Sequence, residues 1–570
     1  MPFDSLRLPQ RPPDSLRADT TDTDTVRPLL PALVPPGPMA RGGRWVFDHD
    51  ALRFLGALDL AELLAQVPGV FVVRGGWFGQ TSFVAYAGQG AASVEIYWDG
   101  YRLDPLGADS SAIDLGRVPI GLARRVEVEV LPTVLRVYVV SDTREFRRAL
   151  TETSFATGDA TTNTYLIRYL NRWRAGTGLG LGVNWFGTDG PPTTPGSVAD
   201  LAIWAKATWA PTPLVGVELQ LLSYAARHDS LRSITQAGPG IPRVNENRRD
   251  AFARGTIGGR PDGLGARFDV LLGNTSYKDT LGLERSLSQA AASASFRGAS
   301  YAGEIGARVR DGRTPLELAV RGAWAMGQFL TVSGYAISRR HEGNRGSIEA
   351  GALGEVRFGP LAAHGALRHR DAVARPDVLA DTAQQVGDWS GGVSYASRPL
   401  WLDVSVERHG WFEAPAWDAF SRHIPRGSVI DVTTLTTSLR VRPWNYLTLS
   451  GWYRHPLDPI QAAYEPPHHT RVALTFRSRM LPRFRRGVFD LVLESSLEGW
   501  GDGFVGRTAA GDSIRLLGAT SYNYLIEFRL VSAVLFWTMR NVGAERYELI
   551  PAFYQARAIQ RFGVRWEFTN

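Results

Sequence analysis

The sequence predicts a mainly β protein: a transmembrane antiparallel β-barrel of about 22 strands that holds a small N-terminal α+β domain in its lumen. Three observations predict this fold class. The 570-residue chain has no run of 18 or more apolar residues, which excludes membrane-spanning helices. From about residue 143 onward, apolar and polar residues alternate with period two between turn signals. The connections between these segments are short and long in alternation, as the two rims of an outer-membrane barrel require.

Composition removes several classes of function. The chain has no cysteine, which excludes disulfides, thiolate metal sites and thiol nucleophiles. Its net charge is +7, and Lys206 and Lys278 are the only lysines, so almost all of the positive charge is guanidinium. The arginines are spread along the chain instead of forming one basic patch, so we expect no nucleic-acid partner.

Residues 1–45 form the first region, a Pro-rich polar segment that we expect to be a flexible arm. It opens MPFDSLRLPQ, which has no charged segment followed by an apolar one and so does not read as a signal peptide.

Residues 46–142 form the second region, a small mixed domain. Its first element is a helix predicted over DHDALRFLGALDLAELLAQ, with Asp48 or Asp50 as N-cap and leucines at helical spacing, closed by VPG. Further on, SVEIYWDGYRLD predicts two strands joined at Asp99 and Gly100, because Asp-Gly favours a tight hairpin turn.

Residues 143–570 form the third region, the barrel, in which we count 22 segments with an uncertainty of about two. In YLTLSGWYR, Leu447 and Leu449 share one face, while Ser450 and Arg454 share the other. Connections after even-numbered segments are short, and every long one follows an odd-numbered segment. A soluble β-propeller, the alternative for an all-β chain of this length, has no reason to sort its connections in this way.

The order of motifs in the second region resembles the plug domain of TonB-dependent outer-membrane receptors. These motifs are DLAELLAQVPGVFVV, QTSFVAYAG, SVEIYWDGYRLD and DLGRVPIGLARRVEVEV, and the resemblance continues through the barrel to its aromatic-rich last strand. In that family a four-stranded plug fills a 22-stranded barrel in the bacterial outer membrane. The receptor takes up iron chelates, cobalamin or glycans, and an inner-membrane complex supplies energy by pulling on an N-terminal TonB box.

The resemblance assigns structural roles to seven residues of the plug. They lie at the helix-to-strand turn, at the hairpin turn and in the strand after VPIGLARR: Val67, Pro68, Gly69, Val70, Asp99, Gly100 and Glu127. Pro68 can stop a helix, and Gly69 and Gly100 can adopt positive φ. These residues therefore identify an architecture and no ligand.

Two segments depart from the family pattern. After EVEV the family carries a glycine-rich stretch, whereas this chain reads LPTVLRVYVVSDTREF. The TonB-box candidate, Asp24, Thr25 and Val26, is followed by Arg27 and Pro28 instead of an apolar run, and proline lacks the N–H that a box strand donates to its partner.

Aromatic and arginine residues in the long connections are candidates for binding a ligand or a partner, since aromatic rings stack on sugars or aryl chelators and guanidinium groups bind carboxylates and phosphates. They are Trp411, Phe412, Trp417, Tyr464, Trp500, Phe504, Arg422 and Arg426. The alternative is that the aromatic residues pack the loops onto one another. His468 and His469 are weak candidates for a metal site, and the sequence implies no cofactor.

From these features we expect an outer-membrane receptor for TonB-energised uptake of a bulky solute, such as a metal chelate, a cobalamin-like molecule or a glycan, and no enzyme. Expected partners are outer-membrane lipid, lipopolysaccharide and a TonB-type protein, and also envelope or extracellular proteins. The alternative is a receptor-derived barrel that no longer transports and serves as an outer-membrane anchor or scaffold of a multiprotein complex.

Overall fold

The fold was examined in a computed structural model. It describes residues 33–34 and 42–569, except 55, 90–92, 107–112, 145–147, 174–175, 191–195, 213, 231–242, 260–262, 312–314, 342–344, 373–383, 413–428, 460–461, 509–510, 544 and 552. No helix in these described ranges is long and apolar enough to cross a membrane.

The N-terminal domain has a five-stranded sheet, a separate hairpin and two short helices. Its elements are β1 (Arg44–Phe47), α1 (His49–Phe54), α2 (Leu60–Leu64), β2 (Phe71–Arg74), β3 (Ser82–Ala85), β4 (Val94–Trp98), β5 (Tyr101–Leu103), β6 (Ala123–Leu131) and β7 (Val134–Ser141). The sheet order is β1-β6-β7-β4-β5, and β2 pairs with β3. The sheet has one strand more than the four expected, because β1 adds to its edge through antiparallel pairing with β6.

The single helix expected between Asp48 and VPG is wrong, because the structure has two helices there. Gly56, with φ of +62°, lies between them, and a right-handed helix cannot continue through this conformation. Asp48 Oδ1 accepts a hydrogen bond from the Ala51 N–H at the start of α1. Asp59 starts α2 anew, because its side chain accepts from the Glu62 N–H as an N-cap.

The predicted barrel is confirmed: 22 antiparallel strands close into one barrel among the described residues. Four further strands form two small hairpins in the connections of the barrel: β27 (Gly503–Arg507) with β28 (Ser513–Leu516), and β31 (Glu548–Ile550) with β32 (Phe553–Tyr554). The barrel strands are β8 (Leu150–Gly158), β9 (Thr162–Arg172), β10 (Thr177–Thr188), β11 (Val198–Thr212), β12 (Val215–His228), β13 (Val244–Gly258), β14 (Gly265–Asp279), β15 (Glu284–Arg297), β16 (Tyr301–Arg310), β17 (Leu316–Met326), β18 (Leu330–Arg340), β19 (Gly346–Phe358), β20 (Leu361–Ala372), β21 (Gln384–Ala396), β22 (Leu400–Phe412), β23 (Val429–Trp444), β24 (Leu447–Pro456), β25 (His469–Ser478), β26 (Phe489–Trp500), β29 (Ala519–Leu530), β30 (Ala533–Arg540) and β33 (Ile559–Thr569).

The alternation of each strand separates a lipid face from a lumen face. In β12, Val217 and Leu219 are exposed on the outside, whereas Glu218 and Gln220 are buried on the inside. A side chain such as Leu219, 55% exposed on the barrel wall, is stable there because it meets hydrocarbon instead of water.

The short and long connections between barrel strands lie on opposite rims, as the sequence predicts. On one rim the longest connection is 479–488, and most others are far shorter. On the other rim six connections are longer than any on the first: 229–243, 373–383, 413–428, 457–468, 501–518 and 541–558. By the rule for outer-membrane barrels, the short-turn rim faces the periplasm and the long-loop rim faces outward.

The N-terminal domain fills the lumen, and its core merges with the wall on one side. Trp98 and Tyr101, at the β4–β5 turn, are fully buried together with Trp204 and Phe252 of the wall. The Tyr101 and Phe252 rings stack with centroids 4.8 Å apart. The domain is therefore a plug held within the barrel, and we use that word for it below.

Candidate functional site

The candidate site is the interface between the plug and the inner wall. At its centre lie six charged residues from both parts, which we call the central ion network: Glu95, Arg102, Arg136, Glu317, Arg339 and Glu349. Arg136, on the plug strand β7, is completely buried and donates to Glu95 (3.0 Å) and to Glu349 on the wall (2.7 Å). A buried guanidinium is stable only when carboxylates compensate its charge, and here one comes from each side.

Arg339 extends the network from the wall. It donates to the plug residue Glu95 (2.9 Å) and to its own neighbours Glu317 (2.9 Å) and Glu349 (3.0 Å). Arg102, beside the hairpin turn of the plug, donates to Glu317 (3.0 Å). Each carboxylate of the network thus contacts arginines of both the plug and the barrel.

The charges of this network are fixed by one another. Burial alone would raise the pKa of Glu95, but Arg339, Arg102 and Arg136 outweigh it and hold that pKa well below its usual range. For Glu129, on the plug strand β6, burial is likewise outweighed by Arg321 and Arg136, and the pKa is lowered. Both carboxylates are therefore ionised at neutral pH, and the plug is bound to the wall by charge.

The hairpin turn holds a second contact between plug and wall. Asp99 and Gly100 occupy its corner with φ of +45° and +88°, as a type I′ turn requires. Asp99 is buried and accepts from the Ser141 N–H (3.1 Å) and from Gln220 Nε2 (2.6 Å) on the wall. Lys206 Nζ, also on the wall, lies 3.6 Å from Asp99 Oδ2 and 3.0 Å from Glu218.

Asp99 is therefore more than the turn-former predicted from the sequence. Burial would raise its pKa, but Lys206 and hydrogen bonds from Gln220 and Ser141 lower it, so the carboxylate stays charged. Lys206 also donates to Ser141 Oγ (2.9 Å), which joins the ends of β4 and β7 to one place on the wall.

The turn VPGV brings the end of α2 against an arginine of the wall. Val67 and Val70 are fully buried, and the Val70 N–H donates to the Val67 carbonyl across Pro68 and Gly69 (3.2 Å). Gly69 has φ of +80°, and a Cβ there would fall 2.3 Å from Arg454 Nη1. Both conditions demand glycine.

Arg454 connects this turn to an outer connection of the barrel. It forms an ion pair with Glu465 (2.8 Å), which also bonds His409 (3.0 Å). Burial would raise the pKa of Glu465, but His409 and Arg454 lower it to about 2. A plug turn, a wall strand and the connection 457–468 therefore meet at one carboxylate.

The hairpin β2–β3 closes the lumen towards the long-loop rim through an apolar cluster. The Phe71 ring lies 5.8 Å from Tyr464 and 5.3 Å from Trp500, measured between centroids. All three side chains are buried. Phe504, partly buried, packs against Trp411, which is also buried.

Four of the sequence-predicted binding residues thus pack loops onto one another and onto the plug: Trp411, Tyr464, Trp500 and Phe504. This was the alternative reading of their sequence pattern. Phe412 ends β22, and its side chain lies outside the described part of the chain, as do Trp417, Arg422 and Arg426 and the TonB-box candidate Asp24, Thr25 and Val26.

The two adjacent histidines point away from each other. His469 is buried in the lumen and bonds Glu498 (3.2 Å), whereas His468 is exposed, stacks on His455 and bonds the Tyr453 hydroxyl (2.7 Å). Since neighbouring residues at the start of a strand face opposite sides, these two cannot share one ion.

A different group of potential metal ligands lies where the first and last barrel strands meet. His49 of α1, Glu152 and Glu567 bring ligand atoms within 4.8 Å of one another. However, Glu152 already pairs with Arg168, and Glu567 lies 3.7 Å from Arg529. The chemistry of this group is that of an ion-pair cluster, and we assign no metal to it.

The last predicted plug residue, Glu127, joins β1 to the sheet. It is buried and pairs with Arg125 (2.7 Å) and with Arg44 (3.6 Å) of β1.

A cavity of about 170 Å³ separates the plug from the wall on the side of β25, β26, β29 and β30. Charges of both signs line it, including Arg74, Arg471, Arg540, Glu62, Glu494 and Glu498, together with Trp77, Phe78 and Tyr524. Arg540 bonds Glu62 of α2 (2.8 Å) across one end. A polar cavity of this volume has room for several water molecules.

Sequence reasoning found the plug motifs but missed the residues that bind plug to wall. Arg136, Arg339 and Lys206 lie in alternating strands, and the pattern around them does not distinguish them from other inward-facing residues. Lys206 alone carried a signal, because it is one of only two lysines in the chain.

Comparison with known proteins agrees with this architecture. Residues 40–130 match the TonB-dependent receptor plug domain family. Among solved structures, the chain is similar to the ferric enterobactin receptor PfeA in complex with BCV-L6, with a TM-score of 0.73 and 11% identity over 93% of this chain and 100% of that one. It is also similar to the FrpB iron transporter from Neisseria meningitidis, with a TM-score of 0.72 and 11% identity over 93% of this chain and 100% of that one. The siderophore receptor PirA from Acinetobacter baumannii matches with a TM-score of 0.68 and 9% identity over 92% and 98%. At such identities the likeness is one of fold.

Proposed function

The chain has the architecture of a TonB-dependent outer-membrane receptor, a plug domain of that family inside a closed 22-stranded barrel, and on that premise we propose that it takes up a bulky solute with energy from a TonB-type protein. The fold is shared with receptors and transporters of the outer membrane. The proposed step is mechanical: the solute binds outside, and the plug rearranges to let it pass.

The observation that carries this proposal is the polar part of the contact between plug and wall, which lies beside the apolar contact of Trp98 and Tyr101 with the wall. The central ion network and the pair of Asp99 with Lys206 hold this part of the plug through charges that water can replace, next to a cavity of about 110 Å³ that Gly100 and Glu317 line. Opening this polar part costs less free energy than opening the apolar part, which would expose hydrophobic surface to water.

We further propose that the pull enters through residues 1–45, with Asp24, Thr25 and Val26 as the TonB-box candidate. Leu33 supports a mechanical connection, because its side chain lies against the hairpin turn: a Cβ on Gly100 would meet Leu33 Cδ1 at 2.4 Å. A pull on the arm would therefore act next to the buried Asp99.

A ferric chelate is the first ligand to test, because PfeA and PirA are named for enterobactin and siderophores and FrpB for iron. Cobalamin-like molecules and glycans are the other solutes that we propose for uptake. Trp417, Arg422 and Arg426 remain candidate ligand contacts. For the lipid-exposed surface we propose outer-membrane lipid and lipopolysaccharide as partners.

The experiment measures accumulation in cells that contain a TonB system. The probes are radiolabelled ferric enterobactin, a ferric hydroxamate, cyanocobalamin and a maltooligosaccharide. We expect one of them to accumulate with the full chain, and to lose accumulation but keep surface binding when residues 1–32 are removed or the proton gradient is collapsed. Accumulation that survives both treatments would contradict energised uptake.

The alternative function is a scaffold that no longer transports. It is favoured by the closed outer cluster around Phe71, and by the direct course of the chain from β7 to β8 without the family's glycine-rich stretch. A scaffold would copurify with stoichiometric envelope or extracellular proteins, irrespective of the proton gradient, and would accumulate none of the four probes.

A further inference from the structure

One turn on the periplasmic rim differs from the others in length and charge. Residues 479–488 connect β25 to β26 and are the longest connection on the short-turn rim. They carry four arginines, which we call the rim arginines: Arg479, Arg483, Arg485 and Arg486. The last three are exposed and the first is half-buried.

The rim arginines lack the carboxylates that accompany arginines elsewhere in the molecule. In the described part of the chain, no carboxylate oxygen lies within 4 Å of any of the four. Their sequence neighbour Arg477 shows the contrast, because it pairs with Asp490 at 2.8 Å. The turn therefore presents about four uncompensated positive charges at one place.

The backbone of this turn is ordered by its own hydrogen bonds. The N–H groups of Arg483 and Phe484 both donate to the Met480 carbonyl (2.9 Å each), and the Gly487 N–H donates to the Phe484 carbonyl (2.9 Å). Phe484 stacks on Phe489 of β26 with ring centroids 4.9 Å apart. The arginines are thus presented from a defined loop.

Apolar side chains place the turn at the membrane boundary. Met480 is 37% exposed and Leu481 49% exposed. In the adjacent turn, Trp444 and Tyr446 stack and are exposed, and the Tyr446 carbonyl accepts from the Arg477 N–H (2.7 Å). Aromatic residues in this position form the girdle at the level of lipid headgroups.

We propose that the rim arginines bind the phosphate of an anionic phospholipid in the periplasmic leaflet. Guanidinium groups bind phosphate oxygens through paired hydrogen bonds, and Met480 and Leu481 can enter the acyl region beside the headgroup. An acidic periplasmic protein would compensate the positive charge, but its polar surface would offer no apolar contact to Met480 and Leu481. A cluster of four to eight basic residues at a membrane surface attracts anionic lipid strongly.

The test is native mass spectrometry of the full-length protein in detergent, titrated with dioleoylphosphatidylglycerol or with zwitterionic dioleoylphosphatidylethanolamine. The variant is R485Q/R486Q. The matched control is R297Q/R398Q, which removes two exposed arginines of the same rim, one at the end of β15 and one in the turn 397–399. Heat-modifiable migration in gels verifies that each barrel is folded.

We expect the wild type to bind phosphatidylglycerol in preference to phosphatidylethanolamine. R485Q/R486Q should lose about fivefold in affinity per arginine, while the control pair stays within about twofold of the wild type. Equal affinity for the two lipids, or an equal loss in the control pair, would overturn the proposal.

Two competitors separate the other sources of negative charge. If millimolar inorganic phosphate displaces the lipid, the site is one for free phosphate and the proposal fails. If polyglutamate binds more tightly than phosphatidylglycerol in an R485Q/R486Q-sensitive way, the turn is a protein-docking site and the proposal also fails. The result bears on the turn alone and is independent of whether the barrel transports.

Discussion

At the scale of single residues, glycine is decisive where the plug turn meets Arg454. Gly69→Ala adds a Cβ 2.3 Å from Arg454 Nη1 and strains a backbone at φ of +80°. We expect a loss of about 2–4 kcal/mol in plug stability, measured by denaturant-dependent exchange of the plug amides.

The control for this substitution is Gly42→Ala, just before β1 of the plug sheet. Gly42 has φ of +75° but nothing within 4 Å of an added Cβ, so it measures the backbone strain alone. If both variants lose the same plug stability, the close approach of Arg454 has no energetic weight.

Also at this scale, Lys206→Met removes the cation beside Asp99. Breaking a buried charge pair from one side costs about 3–5 kcal/mol, because the partner charge stays buried. We expect hydrogen exchange of the hairpin turn and of the Ser141 amide to increase at pH 7. Lys278→Met is the matched control, since Lys278 is 68% exposed; an equal increase there would argue against the buried pair.

The same pair predicts a dependence on pH. The pKa of Asp99 is lower in the folded protein than in the unfolded chain, so its contribution to stability is complete above about pH 4 and is lost as the pH falls through the folded pKa. In Lys206→Met, Asp99 loses its main source of this lowering, and protection of the turn should fail at a higher pH than in the wild type. The measurement is amide exchange of the turn between pH 2.5 and 7.

At the scale of elements, the hairpin β2–β3 keeps the outer connections closed. Phe71→Ala removes a ring that is 1% exposed and contacts Tyr464, His469 and Trp500. We expect a local loss of about 3–5 kcal/mol and faster tryptic cleavage after Arg507 and Arg515 in the connection 501–518.

Phe268→Ala serves as the comparison for that experiment, because Phe268 is 46% exposed on the wall. Unchanged cleavage in Phe71→Ala would mean that the loops hold together without the plug.

The elements also show what a sequence can reveal. Local chemistry predicts three features of the fold. Alternation of apolar and polar residues gives the number of strands, and turn residues give the alternation of short and long connections. The Asp-Gly pair predicts the hairpin turn, because both of its residues adopt positive φ. The single helix predicted over residues 48–66 is wrong because the leucine spacing continues across the break at Gly56. The contacts of Arg136 and Lys206 join strands far apart in the chain, so no local pattern encodes them.

The candidate site was accessible to sequence reasoning only in part, for the same reason. The plug motifs identified the domain that closes the lumen, whereas the sequence did not show that the side chains of Tyr464 and Trp500 pack within that closure. Whether an aromatic ring in a long loop binds a ligand or another loop depends on what lies opposite, which the chain order does not contain.

At the scale of the whole molecule, the plug must move for the proposed function. Gly88 in the plug faces Ala462 in an outer connection, and a Cβ on Gly88 would lie 3.1 Å from Ala462 Cβ. The double variant Gly88→Cys with Ala462→Cys can form a disulfide after a shift of about half an ångström. We expect oxidation to stop uptake and dithiothreitol to restore it, measured as accumulation of the transported probe.

The chain has no native cysteine, so no other disulfide can form. The control is Gly88→Cys alone, treated with the same oxidant, because Gly88 has φ of +66° and an added Cβ there also lies 3.0 Å from Trp411 Cβ. Transport that continues with the disulfide formed would show that this part of the plug stays in place during passage.

Because the chain has only two lysines, reaction of their side-chain amines can report the position of the plug. Lys278 lies exposed at the long-loop end of β14, whereas Lys206 is enclosed between plug and wall. A membrane-impermeant amine reagent should mark Lys278 from outside the cell and leave Lys206 untouched for as long as the plug is seated. Covalent marking of Lys206 would then register each displacement of the plug, without any substitution in the chain.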